Sequence, residues 1–565
     1  MDWQRTLLIA ALAVVSYMMV LQWQEDYAGS AQARQAEQQQ SYPQDIPDDT
    51  VANSDIPQQD MASAEDVPPD PSATPAVIPT LNEEPTQGLI EVQTDEFALR
   101  INPVGGDIVY VGLVKYPVSQ EQLDIPFTLL DSSPSHTYVA QSGLVGKNGP
   151  DSSSSGRPHY SSAQSRYEME SDQLVVDLTF QQENGAIVTK SYIFTRGSYA
   201  VDMKIKVDNH SAEPWVGALY GQIKRDGSSD PGMDGASGFG LPTYLGGAYW
   251  DTEKPYNKID FEDMEESPLN KKIPGGWLAM IQHYFMSAWI PNQDLTHQYS
   301  TRVSKGNNII GFTSLPVKVA AGDSHEFEAQ FYAGPKIQKD LKALLPGKGM
   351  DLAIDFGPLF FISEILFWTL DYFHSWTGNW GFAIIMLTIL IKLIFFYPSA
   401  ISYKSMAKMR KVAPEMTRLR EQYADDRQKL SVEMMNLYKK EKINPLGGCL
   451  PILIQMPVFL ALYWALLESV ELRQAPFLLW IQDLSVMDPY FVLPLIMGGS
   501  MWVQQMLNPA PPDPMQAKVM KMMPILFTVM FLWFPAGLVL YWVTNNLLSI
   551  AQQYVITKRI EAGGS

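Results

Sequence analysis

The spacing of apolar residues changes character three times along the chain. Leu7 to Leu21 is an almost unbroken apolar run. From Gly88 the pattern alternates. Tyr199, Val201, Met203, Ile205 and Val207 are separated by Ala200, Asp202, Lys204, Lys206 and Asp208, the period of two that marks a strand with one buried face. Leu174 to Gln181 and Ile187 to Phe194 flank Glu183-Asn184-Gly185. Asn-Gly between apolar runs predicts a hairpin, because both turn positions favour φ > 0. Gly-Gly, Pro and Ser clusters punctuate the rest at strand-like intervals, and a β-sandwich of about 250 residues follows. Beyond residue 350 continuous apolar segments take over, near 380–398, 449–470, 489–507, 519–534 and 537–557.

Between these blocks lie segments of mixed character. Residues 28–86 are rich in Gln, Pro, Asp, Ser and Ala, with Arg34 the single basic residue; apolar residues are too sparse to offset ordering entropy, which predicts a disordered linker. Leu359 to Trp376 mixes Phe, Leu, Ile and Trp with Glu364, Asp371 and His374, which reads as an amphipathic helix lying in a membrane interface, with a buried soluble helix as the alternative. Within 399–446, Met406, Met409, Ala413, Met416, Leu419 and Tyr423 recur at helical spacing, and Leu430, Met434, Leu437 and Tyr438 resume it after Asp425-Asp426. An antiparallel helical hairpin with its tip near Asp425 is expected, too charged to cross a membrane. Its methionines offer either an adaptable apolar surface or a core for the hairpin itself.

Charge sets the orientation. The stretch 399–446 carries eleven Lys or Arg against six acids, whereas 471–488 holds only Arg473, and Lys518, Lys558 and Arg559 follow short loops or the end of the last segment. Positive-inside places 399–446, 508–518 and the tail in the cytoplasm. The first apolar run is read as a retained anchor rather than a cleaved signal peptide, for which Ala31-Gln32-Ala33 is only a weak site. Thr6 to Trp23 measures ~27 Å as a helix, enough for the hydrocarbon core. Arg5 before it and Glu25-Asp26 after it put the N-terminus inside.

The organisation expected is a 1–27 N-terminal anchor, a 28–86 periplasmic linker, an 87–350 periplasmic β-domain, a 351–378 interfacial helix, a 379–557 five-helix membrane core carrying the 399–446 hairpin, and a 558–565 tail. The fold class is a multi-domain inner-membrane protein: an α-helical transmembrane bundle, six helices in total, with an all-β periplasmic domain and a cytoplasmic helical hairpin.

Composition narrows the chemistry. The 565 residues carry a formal charge of −20, which argues against nucleic acid as a partner. One cysteine, Cys449, excludes an internal disulfide or a cysteine-based zinc site, and the scattered histidines argue against any other metal centre. There is no G-x-x-x-x-G-K-[ST] phosphate loop, and no compact catalytic motif marks the β-domain. No enzyme activity and no cofactor are expected.

Asn444-Pro445-Leu446-Gly447-Gly448-Cys449-Leu450-Pro451, Gln455-Met456-Pro457 and Leu532-Trp533-Phe534-Pro535-Ala536-Gly537-Leu538-Val539-Leu540-Tyr541-Trp542 resemble the YidC/Oxa/Albino family of membrane protein insertases. Ser405-Met406-Ala407-Lys408-Met409 and Asp513-Pro514-Met515-Gln516 add to the likeness, which is good over about 355–557. The long β-domain resembles the Gram-negative branch, where it is a β-supersandwich similar to sugar mutarotases. The resemblance implies a hydrophilic groove in the membrane, open to the cytoplasm and to lipid. Lys392 takes the place of its basic residue, where Arg is common, and Thr388, Gln455, Tyr541 and Trp542 match lining positions. Pro398 falls one residue later than usual, and the tail is short and weakly basic.

The implied function is insertion and chaperoning of nascent inner-membrane proteins, alone or with the Sec translocon. The hairpin, through Met406, Met409, Met416 and Tyr423, would meet the ribosome-borne chain or a targeting receptor. Helical rise adds a depth argument: Lys392, Gln455 and Asn545 lie ~18, ~10 and ~14 Å from the ends of their segments and fall near one level. They are expected to face a hydrated interior; the alternative is a Lys392 that snorkels to the headgroups. A solute transporter and a membrane-tethered periplasmic carbohydrate-binding protein are the competing classes. The first predicts a helix repeat that is not visible in the sequence.

Overall fold

The computed structural model describes residues 55–57, 74–75, 88–133, 136–154, 156–230, 243–423, 426–441, 450–508 and 514–561. The predicted anchor, most of the linker, the hairpin tip at Asp425, the motif 444–449 and the end of the tail lie outside these residues.

Two antiparallel sheets stack face to face. One runs from edge to edge through Asn257–Ile259, Gly246–Tyr249, Leu278–Ile281, Phe285–Pro291, Asp323–Pro335, Ala200–Asp208, Ile187–Thr195, Gln173–Gln181 and Ser161–Ser162. The other runs through Asn270–Pro274, Thr296–Ser304, Asn307–Ser314, Trp215–Arg225, His136–Val145, Gln122–Ser133, Asp107–Ser119, Phe97–Asn102, Ile90–Gln93 and Arg166–Glu168, the last pair parallel. The alternation read in the sequence sets the facing. Val201, Met203, Ile205 and Val207 are wholly buried in the core between the sheets. The Asn184-Gly185 turn joins two strands in register from Ile187↔Gln181 to Thr195↔Gln173, with Gly185 at φ 94°. Trp215, Trp277 and Trp289 fill the centre of the core.

The linker is less featureless than its composition suggests. Thr74–Pro75 pairs with Ser324 and Asp323 on a sheet strand, and Ile56 is buried against Val145, Ala218 and Tyr220. A segment with too few apolar residues to fold by itself still docks where single side chains find a ready-made surface.

The helices are α1 (Phe261–Glu266), α2 (Gln338–Leu344), α3 (Phe360–Thr377), α4 (Trp380–Ile394), α5 (Phe396–Lys411), α6 (Ala413–Gln422), α7 (Arg427–Lys440), α8 (Leu450–Glu468), α9 (Val492–Leu507), α10 (Pro514–Met530) and α11 (Ala536–Glu561). Helix α3 ends on Gly378 at φ 63°, and Asn379 then caps α4 by accepting from Phe382 N at 3.1 Å. The left-handed glycine and the capping amide reverse the chain in two residues. Helix α3 turns Leu366, Phe367 and Leu370 inward and exposes Phe360, Phe361, Ile365, Trp368, Tyr372 and Trp376.

The first long apolar segment does not run straight to 398. It stops at Ile394, and α5 departs at 67°. Pro398 explains this: it has no N–H to offer the carbonyl of Ile394, but third in a new helix that group has no partner to lose. Among the described residues no single helix is long and apolar enough to cross a membrane; α4 and α5 pass that test only as a bent pair. Pro457 and Pro524 lie inside α8 and α10, and Asn545, Asn546, Gln552 and Gln553 lower the hydropathy of α11.

The loop 471–488 covers one end of the helices. Ala536 N donates to Val486 O at 2.7 Å and Gly537 N to Leu484 O at 2.9 Å, so the loop supplies acceptors for the first turn of α11. Asp488, wholly buried, accepts from Trp480 Nε1, Tyr490 N and Leu493 N at 3.0, 3.0 and 2.7 Å and so ties the loop to the start of α9. Phe477 lies so close to Gly381 that a β-carbon there would meet the ring at 2.0 Å. The same end meets the β-domain: His283 Nε2 lies 2.9 Å from Leu467 O, Arg473 donates to Pro117 O at 2.8 Å, and Lys336 pairs with Glu468.

Helices α6 and α7 make a unit of their own. Met416, Met434, Leu437 and Tyr438 form its buried centre, with Met409, Val412, Leu419 and Leu430 against it. The first arm of the expected hairpin is broken between Lys411 and Ala413: Val412 leaves the helix, and Pro414, second in the next one, has no N–H to offer the carbonyl of Arg410.

Candidate functional site

Polar side chains from α4, α5, α8 and α11 meet inside the bundle. Ala383, Ile384, Leu387, Thr388 and Ile391 form the buried stripe of α4, and Lys392 sits at its rim in the last turn. Its ammonium donates to Ser549 Oγ at 2.7 Å and to Gln455 Oε1 at 3.4 Å. Gln455 Nε2 donates onward to Asn545 Oδ1 at 2.6 Å, and Ser549 Oγ to Asn545 O at 2.7 Å. The Tyr541 hydroxyl is hydrogen-bonded to Gln455, and the Tyr403 hydroxyl to Ser549. Tyr541, Asn545 and Ser549 succeed one another at four-residue spacing, which puts them on one face of α11.

Two positions predicted with these stand apart. The Thr388 hydroxyl is buried and donates to Ile384 O at 2.7 Å, so it serves its own helix. Trp542 packs against Phe459 and Phe531 at 5.0 and 5.7 Å, and its buried Nε1 has no hydrogen-bond partner. In the hairpin, Met416 is buried and Met409 packs against the same centre, while Met406 is buried and Tyr423 closes α6.

Sequence reasoning missed Ser549 and Tyr403. Ser549 was findable, one turn beyond Asn545 on the stripe that starts at Tyr541. Tyr403 was not, because α5 reaches Ser549 only through the bend at Phe395. A second polar contact, Asn546 Nδ2 to Ser500 Oγ at 3.0 Å, ties α11 to α9.

The electrostatics of the site are one-sided. Among the described residues no carboxylate lies within ion-pair distance of Lys392, and its nearest partners are a hydroxyl and an amide oxygen. Exposing such a charge to lipid costs about 2.5–3.5 kcal/mol at the centre of a helix and less near its end, a cost that the hydrogen bonds and any water they admit offset. The group can offer N–H donors and positive charge to an anionic or carbonyl oxygen.

The β-domain holds a second charged cluster of a different kind. Arg157 pairs with Asp107 and with Asp151, the latter at 2.8 Å, and donates to the Tyr220 hydroxyl at 2.9 Å. Lys190 donates to Gly105 O and Ser142 O at 3.0 and 2.9 Å, and burial pushes its ammonium down to about 8. Cations and anions there satisfy one another.

Two family models match the chain: the YidC periplasmic domain over residues 89–369, and the 60Kd inner membrane protein over residues 372–563. A membrane protein insertase YidC of Pseudomonas syringae pv. tomato is 53% identical over all of this chain and 99% of its own length. The protein of the same description from Pseudomonas fluorescens is likewise 53% identical, with the same coverage.

Proposed function

The chain belongs to the YidC family of membrane protein insertases, and from that premise we propose that Lys392, Gln455, Asn545, Ser549 and Tyr541 line a hydrated groove through which polar segments of nascent inner-membrane proteins pass. The observation that carries this reading is the Lys392 ammonium, held inside the bundle by neutral groups and met by no carboxylate among the described residues. A client's acidic tail finds there a positive charge whose side-chain partners are neutral. Thr388 and Trp542 flank the path. The energy comes from partitioning of client side chains into lipid, at ~0.8 kcal/mol per methylene; the protein lowers the barrier and performs no covalent chemistry.

In this reading the N-terminus, the hairpin and the tail are cytoplasmic, the β-domain is periplasmic, and the helices cross six times. Helix α4, at 15 residues, spans only ~22 Å against ~30 Å of hydrocarbon, a mismatch that thins the local bilayer and shortens the crossing. The α6–α7 unit is the first station for the emerging chain, the ribosome or a targeting receptor. The Sec translocon is a partner for clients with large translocated domains.

The test is insertion of a client with an acidic translocated tail by wild type, Lys392→Arg and Lys392→Ala, with a crosslinker at Gln455 in parallel. Arg should preserve insertion. Ala should reduce it several-fold for acidic tails and much less for neutral ones, and the crosslinker should capture the client. An Ala variant indistinguishable from wild type with every client favours the snorkelling lysine and sinks the groove.

A further inference from the structure

The residues of the linker that touch the β-domain do so through side-chain-specific contacts. Tyr220, Gln222 and Lys224 alternate with Leu219 and Ile223, which face the core, so the first three lie on the outer surface of their sheet. Arg302 and Ser304 come from a strand two places over. Together they hold Asp55. Its carboxylate meets Lys224 Nζ and Ser304 Oγ, each at 2.5 Å, and its carbonyl accepts from Gln222 Nε2 at 2.9 Å and Arg302 Nη2 at 2.5 Å. Arg302 and Gln141 in turn fix the Gln222 amide, at 2.5 and 2.9 Å. One residue on, Ile56 is buried against Val145, Ala218 and Tyr220, and Arg157 holds the Tyr220 ring from below through its hydroxyl. Pro57 follows, and a residue ahead of proline is biased to extended backbone, which cuts the ordering cost of the docked strand.

Each part of Asp-Ile-Pro thus has its counterpart: two donors for the carboxylate, two for the carbonyl, an apolar seat for the isoleucine. The linker carries the same tripeptide twice, at Asp45-Ile46-Pro47 and Asp55-Ile56-Pro57, ten residues apart, while a third copy, Asp124-Ile125-Pro126, is held in the Gln122–Ser133 strand of the β-domain and is not free to dock. We propose that this patch of the β-domain is a recognition site for an extended Asp-Ile-Pro peptide, and that the linker fills it in cis with either of its two copies. Exchange of the copies moves ten residues, ~33–36 Å of extended chain, from one side of the docking point to the other. The distance available between the β-domain and whatever precedes residue 45 is then set in two steps. This site is independent of the groove proposed in the bundle.

The test uses the full chain in detergent and a fluorescent seven-residue peptide copying 53–59, followed by anisotropy. A tethered segment acts at an effective concentration of order mM, so wild type should bind the free peptide weakly. Asp55→Ala/Ile56→Ser removes one internal competitor; adding Asp45→Ala/Ile46→Ser removes both and should tighten peptide binding further. Peptides with Asn in place of Asp, or Ser in place of Ile, should bind the four-substitution variant at least about tenfold less well, the loss expected of one charge-assisted hydrogen bond or one buried side chain. These peptide changes leave the protein untouched, so misfolding cannot produce them. Absence of saturable binding to the four-substitution variant, or equal binding of the Asn peptide, overturns the site. Equal binding by the two- and four-substitution variants overturns the exchange of copies.

Discussion

Lys336 and Glu468, 132 residues apart in sequence, form an ion pair at 3.2 Å in which each side chain is 2% exposed. The lysine closes the last strand of the β-domain and the glutamate ends α8, so the pair pins one to the other. Lys336 also donates to Ala353 O at 3.2 Å. Removing one partner of a buried pair strands the other charge and costs about 3–5 kcal/mol, whereas replacing both with apolar residues is often neutral. Lys336→Met should therefore lower the unfolding midpoint sharply, and Lys336→Met/Glu468→Leu should recover most of the loss. Equal destabilisation by the single and double variants would show that the pair is not coupled.

His283 lies against this joint. Burial, with the positive charge of Lys336 near it, pushes its imidazole down to about 4, whereas an unfolded histidine titrates near 6.5. The folded state binds fewer protons, so the stability it contributes is complete above pH ~6.5 and is lost as pH falls toward 4, by up to about 3 kcal/mol. His283→Gln keeps a donor for Leu467 O and removes the titration. Unfolding midpoints of wild type and variant should diverge at pH 7 and converge near pH 4.5. A constant difference across that range would sink the assignment.

Gly381 fixes how closely the loop 471–488 approaches α4. Its missing β-carbon is the space into which Phe477 fits. Gly381→Ala should cost about 1–3 kcal/mol as an overpacked contact, and Phe477→Leu added to it should return part of that. Thermal melts of the three proteins decide the matter; a harmless Gly381→Ala would show that the loop moves aside freely.

Ser549 carries the shortest hydrogen bond from Lys392. Ser549→Ala should weaken insertion of acidic-tailed clients by about two- to tenfold, the range of one net hydrogen bond. It should have little further effect once Lys392 is already Ala. A full additional loss in that double variant would place Ser549 outside the lysine's network.

Excision of 90–320 leaves Lys336 and Glu468 in place but takes away His283, Pro117 and Phe285. Insertion should largely survive, because the residues proposed to line the groove all lie on the helices, while the melting temperature of the bundle falls. A stable, well-expressed deletion with no insertion would assign the β-domain an essential part.

The strands were legible because their signal is local: Val201, Met203, Ile205 and Val207 face inward by alternation alone, and Asn184-Gly185 names its own turn. The places of α4, α8, α9, α10 and α11 followed from apolar runs. Their ends did not, since Pro398 breaks the first run before it is reached in sequence. Residues joined across long separations were invisible one at a time. Nothing local marks Glu468 as the partner of Lys336, Asp488 as the acceptor that closes the loop, or Asp55 as docked. Lys392, Gln455 and Asn545 could be set at one depth by helical rise, but which hydrogen bonds they make depends on the rotation of each helix, which rise does not determine.

The break at Phe395 has an electrostatic consequence for Lys392. A helix that stops at Ile394 sets its C-terminal end two residues beyond the lysine, and although Phe395 N still donates to Ile391 O at 3.0 Å, the aligned peptides sum to roughly half a negative charge at that terminus. A partial counter-charge to the ammonium is thus carried by backbone. No side-chain substitution can delete it, and only a change that lets α4 continue past residue 395, such as Pro398→Ala, would move it away.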